Sequence, residues 1–72
     1  MRRHLEPFED IPNDRIDEVI GQYIKGTRNR EIMHDRLVEY LTFERIAEKY
    51  DLSPRYVQSL IYRLEEVVFK HL

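Results

Sequence analysis

The chain has 72 residues, of which 42% are hydrophobic and 36% charged, and its formal net charge is −2. That length fits one domain with one small core, and the acidic balance argues against indiscriminate binding to nucleic acid. Cysteine is absent, which excludes a disulfide framework and thiolate metal sites, and no apolar run approaches the ~20 residues of a membrane span.

Residues 1–12 read as a flexible arm, because Pro7 and Pro12 and a dense set of acids oppose a helix there. Leu5, Phe8 or Ile11 offers a tethering contact. The basic start at Arg2 and Arg3 has no apolar segment behind it, so a secretion signal is not expected, and the setting expected for the protein is cytoplasmic. Residues 13–72 read as a single all-α domain, a compact bundle of about four helices.

The first helix is expected to be capped by Asn13 or Asp14, to bury Ile16, Val19, Ile20, Tyr23 and Ile24 along one stripe, and to end at Gly26. A second helix starts at Thr27 or Asn29 and turns Ile32, Met33, Leu37 and Val38 inward, with Glu39, Tyr40 and Leu41 leading out of it.

From Thr42 to Tyr62 the pattern becomes more specific. Thr42 can cap a third helix, and Glu44 suits its positive end. Ala47 is small, as a steep helix crossing requires, and Ile46, Tyr50 and Leu52 flank it on one apolar face. Asp51 stands in the turn, where a residue tolerating positive φ is needed. Ser53 and Pro54 then open a fourth helix, running to about Lys70, whose inward stripe is Val57, Leu60, Ile61 and Leu64. A short helix, a tight turn and a second helix of this kind form a helix-turn-helix, which commonly sets its second helix in the DNA major groove. An ordinary helical hairpin shares the caps and stripes, but not so readily the joint placing of Ala47, Asp51, Ser53-Pro54 and Val57.

Charge follows the same division. Residues 1–20 carry three basic and six acidic residues, whereas between Leu52 and Leu64 the charged residues are Arg55 and Arg63 alone. On the fourth helix Arg55 can donate to guanine O6 and N7, Gln58 suits adenine N6 and N7, and Ser59 and Tyr62 follow as further base contacts. Arg45, Lys49, Ser53, Tyr56 and Arg63 are candidates for phosphate contacts, with Arg28, Arg30 and Arg36 as a weaker set. The competing readings are a solvated face for the arginines and partly exposed packing for Tyr56 and Tyr62. His4, His34 and His71 show no metal-ligand spacing, and the carboxylates are dispersed, so neither an enzyme, a metal site nor a cofactor is expected.

Residues 27–72 resemble region 4 of the sigma-70 family of transcription initiation factors, and the small stand-alone sigma-like proteins of bacterial prophages and mobile elements. The resemblance is carried by Arg28, Arg30, Glu31 and Ile32, by Arg36-Leu37, by the run Thr42-Phe43-Glu44-Arg45-Ile46-Ala47, and by Leu52-Ser53 and Val57. It implies double-stranded DNA as a partner, in transcription regulation, and contact with RNA polymerase. The chain departs from region 4 in having Asp51 where glycine is usual, and Pro54, Arg55, Gln58 and Ser59 at the groove-facing positions. Nothing in it corresponds to the sigma domain that melts promoter DNA.

Two alternatives accompany this expectation. One is a protein-interaction module docking on RNA polymerase or another DNA-bound partner through Asp14, Asp17, Glu18, Glu39 and Glu44. The other is an accessory protein of DNA packaging or transposition. The apolar end of the last helix, Val67, Val68, Phe69 and Leu72, is expected to cover the first helix, with a homodimer seam as the alternative.

Overall fold

The computed structural model describes residues 10–72, which form four helices: α1 (Asn13–Tyr23), α2 (Thr27–Leu37), α3 (Phe43–Tyr50) and α4 (Pro54–Lys70). No strand occurs among the described residues. Of the tethering candidates, Ile11 packs at the edge of the core, and Leu5 and Phe8 lie outside the described residues.

The core gathers one stripe from each helix: Ile16, Val19 and Ile20 of α1, Ile32, Met33 and Leu37 of α2, Ile46 and Ala47 of α3, and Val57, Leu60, Ile61 and Val68 of α4, with Ile24 beside them. On α4 the buried positions recur at three- and four-residue steps, as a 3.6-residue period requires. That helix packs against each of the other three. Its 17 residues make a rod of about 25 Å, close to the 29 Å long dimension of the fold.

Several ends differ from the sequence expectation. The N-cap of α1 is Pro12 rather than Asn13 or Asp14; its carbonyl accepts from the backbone N–H of Arg15 and Ile16, both at 3.1 Å, and Asp14 Oδ1, inside the first turn, also accepts from Arg15 N at 3.0 Å. Gly26 does not terminate α1. Its positive φ of 89° places it just before α2, where its carbonyl accepts from Arg30 N at 3.0 Å. The end of α1 is bound by Arg30, whose Nη1 donates to the Ile24 carbonyl at 3.0 Å. Tyr23 is exposed rather than inward, and its ring lies flat on that of His71, with centroids 3.6 Å apart. The end of α4 is seated on the core through Val68, with Val67 and Leu72 packed at its edge and His71, just beyond it, stacked on Tyr23 of α1, while Phe69 is exposed.

Beyond α2 the chain turns at Tyr40, with φ of 60°, a left-handed conformation that ordinarily favours glycine. Two bonds hold it: Leu41 N donates to the Asp35 carbonyl at 3.0 Å, and Arg36 Nη1 donates to the Leu41 carbonyl at 2.8 Å.

A buried carboxyl in this framework titrates near neutrality. Glu65 lies on the inward side of α4, and burial pushes its carboxyl up to about 7, with the charge of Arg36 acting in the opposite direction. The folded protein thus holds this proton more tightly than the unfolded chain, whose carboxyl titrates near 4.5. The stabilisation is complete below that lower value and is lost as pH rises through about 7. Glu65→Gln, which mimics the protonated form, is expected to leave Tm nearly unchanged near pH 4.5 and to raise it at pH 8. Circular-dichroism melts at the two pH values check this, and an equal shift at both would contradict it.

Candidate nucleic-acid interface

The segment from Thr42 to Tyr62 is built by local hydrogen bonds. Thr42 Oγ1 accepts from Arg45 N at 3.1 Å, starting α3. Asp51 takes the left-handed conformation, φ 58° and ψ 48°, and Leu52 N reaches back to the Ala47 carbonyl at 2.8 Å. This is a Schellman closure, which satisfies carbonyls that the helix end would otherwise leave unpaired. Ser53 Oγ then accepts from Tyr56 N at 3.1 Å, with Pro54 in the first turn of α4.

These turns fix which side of α4 faces water. Val57, Leu60, Ile61 and Glu65 face inward, so Arg55, Gln58, Ser59 and Tyr62 form a single exposed stripe at i, i+3, i+4 and i+7. Tyr56 and Arg63 lie exposed beside it. The stripe is partly pre-ordered. Gln58 Nε2 donates to Tyr62 Oη at 3.1 Å, and the Tyr62 ring meets Phe43 edge to face, centroids 5.8 Å apart. Arg36 lies over the Phe43 ring at 4.2 Å. At the start of α4, Arg28 Nη2 donates to Tyr56 Oη at 3.4 Å, which brings the start of α2 alongside.

The cations separate into two groups. Arg45, Arg55 and Arg63 are exposed and form no ion pair with a carboxylate of the described residues. Arg36 is corrected outright as a phosphate candidate: it is 8% exposed and bound to the Leu41 carbonyl, out of reach of a nucleic-acid backbone. Arg30 is committed to the Ile24 carbonyl. Lys49 Nζ is 3.0 Å from the buried Asp35, which also accepts from the Tyr50 hydroxyl at 2.7 Å. Its hydrogen bond to Asp35 raises the Lys49 pKa, and burial followed by the bond to Asp35 pushes the Tyr50 phenol up to about 12. Lys49 therefore serves first to neutralise the carboxylate that ties α2 to α3. Ser53 retains a donor hydroxyl at the start of α4, although its oxygen already accepts the cap bond.

Exposed acids occur on α3 and in its turn, at Glu44, Glu48 and Asp51, and on the first two helices. Asp14, Glu18, Glu31 and Glu39 are exposed on α1, on α2 and just beyond α2. Asp17, Ile20, Gly21, Thr27, Arg30, Glu31 and His34 line an open groove of about 310 Å³ between the first two helices. His34 Nδ1 is 2.7 Å from Asp17 Oδ1, and its Nε2 is 3.4 Å from Glu39 Oε2. The bond to Asp17 is the main cause of its raised pKa. No group of three or more metal-binding side chains converges among the described residues, and none of the described helices is long and apolar enough to cross a membrane.

Sequence reasoning placed the exposed stripe but missed its bracing. The Gln58–Tyr62 spacing of four residues was a visible signal, whereas nothing local announces that Phe43 meets Tyr62 or that Arg28 meets Tyr56. Comparison with known proteins adds no relative: no family model matches the chain, and neither the curated proteins nor the solved structures yield a match.

Proposed function

We propose that this chain reads double-stranded DNA, with α4 as recognition helix in the major groove, and acts as a small transcription regulator or sigma-like factor. The observation that carries this reading is the exposed stripe Arg55, Gln58, Ser59 and Tyr62, whose side chains suit base edges, on a stretch of chain with no carboxylate from Leu52 to Leu64. Arg63 and Tyr56 flank that stripe, and Arg28 and Arg45 lie on neighbouring helices, as contacts to the two phosphate walls would require. Ser53 and the first turn of α4 add backbone N–H groups suited to a phosphate.

Selection from randomised duplexes by the purified protein at near-physiological salt, with and without RNA polymerase core enzyme, tests the proposal. A sequence enriched by the protein alone establishes an autonomous reader. Its symmetry distinguishes a monomer from a homodimer, which would place half-sites ~34–36 Å apart. Enrichment that needs polymerase supports the sigma-like role. No enrichment in either arm overturns DNA reading.

The exposed acids Asp14, Glu18, Glu39 and Glu44, with Asp17 beside them, favour a second reading, a module that docks on a basic surface of RNA polymerase or another DNA-bound partner. Capture of purified core enzyme that survives nuclease and high salt distinguishes it, because DNA binding driven by counterion release falls steeply as salt rises. An accessory role in DNA packaging or transposition would use the same surface of α4.

A further inference from the structure

We infer that Tyr62 is a positioning residue that fixes the amide of Gln58, and that the braced pair selects adenine. The inference rests on the DNA-reading proposal and names the base that this part of the surface reads.

A glutamine amide carries one acceptor and two N–H donors. Left to itself it rotates and can present either kind of group to any base. In this protein one N–H of Gln58 is tied to Tyr62 Oη at 3.1 Å, one helical turn further along. The ring bearing that hydroxyl is held in turn: it stands edge-on against Phe43, at an interplanar angle of 86°. Phe43 lies under the guanidinium of Arg36, which is buried and donates to the Leu41 carbonyl. The brace thus runs from the surface of α4 through α3 to the end of α2.

With one N–H committed, Gln58 keeps its oxygen and a second N–H side by side. Adenine presents the matching pair in the major groove, N7 as acceptor beside the N6 amino donor. Guanine presents two acceptors, N7 and O6, so the amide oxygen would face a second oxygen. Thymine and cytosine each offer one matching group. A fixed amide therefore discriminates among bases, whereas a rotating one adapts to them.

Two measurements on the full chain test the inference separately from the function. The first is NMR of the Gln58 side-chain amide in free wild-type protein and in Tyr62→Phe, which keeps the ring and its contact with Phe43 but removes the hydroxyl. Slowed exchange of one Gln58 amide proton in wild type, lost in Tyr62→Phe, is the expected result; equal behaviour in both proteins overturns the brace. The second is duplex selection. Gln58→Ala is expected to lower the preference for adenine at one position about tenfold. Tyr62→Phe should lower it at that same position by about three- to tenfold, the range for immobilising a glutamine side chain, with the largest loss of preference at that position. An equal loss at every position in Tyr62→Phe makes Tyr62 a phosphate contact and overturns the inference. A fixed amide in a protein that selects no sequence overturns the DNA reading itself, and the adenine assignment with it. A selected adenine with a rotating amide overturns only the brace.

Discussion

Ile61→Ala is expected to remove most of the stability of this domain. Ile61 is fully buried on α4, the helix that packs against all three others. Truncating a buried isoleucine costs ~2–5 kcal/mol, the transfer of the lost methyl groups plus the cavity they leave. A single core of this size rarely supplies more than ~3–5 kcal/mol in total. Urea unfolding followed by circular dichroism at 222 nm should give a midpoint moved far toward zero denaturant, or a chain already unfolded in buffer. Ser59→Ala, on the exposed face of the same helix, should stay within ~0.5 kcal/mol of wild type. If the two variants unfolded alike, the assignment of inward and outward faces on α4 would be wrong, and the proposed DNA surface would fall with it.

Arg55→Ala carries the largest expected effect on function. Arg55 is exposed on the first turn of α4, with no carboxylate partner among the described residues to hold it back. As a bidentate donor to guanine O6 and N7 it should be worth ~1–3 kcal/mol at one base position, and the variant should accept other bases there. Competition of the selected duplex against its single-base variants reads this directly. Arg45→Ala makes the contrast: as a phosphate contact it should weaken binding to every duplex similarly and reduce the salt slope by about one. Uniform loss from Arg55→Ala would move Arg55 to the phosphate wall and leave guanine without a reader.

Local chemistry was legible in the sequence, and chemistry between distant segments was not. The caps at Thr42 and Ser53 and the left-handed Asp51 could be read because each depends on residues within four positions of itself. The apolar periods of α1 and α4 identified nearly all of their buried residues for the same reason, with Tyr23 the exception because its ring found His71 at the surface. Asp35, Arg36 and Glu65 gave no such signal. Each is a charged residue that the sequence would set in water, and each is buried because a partner or neighbour comes from elsewhere: Lys49 and Tyr50 for Asp35, the Leu41 carbonyl and Phe43 for Arg36, Arg36 for Glu65. That blindness decided how the site residues were sorted. Lys49 and Arg36 looked like free cations until the residues that occupy them came into view. Tyr40 was missed differently, since a left-handed residue that is neither glycine, Asn nor Asp leaves no trace in composition.

The position of α4 also bears on the order of events as the chain leaves the ribosome. The segments of α1 to α3 emerge first, yet their inward side chains have no complete cover until Val57, Leu60, Ile61 and Val68 arrive. Segments of 11, 11 and 8 residues are too short to hold helices alone, so the emerged chain exposes its apolar side chains while α4 is still enclosed. The surface that would read DNA lies on the helix that closes the core, so it takes shape only as the whole domain folds.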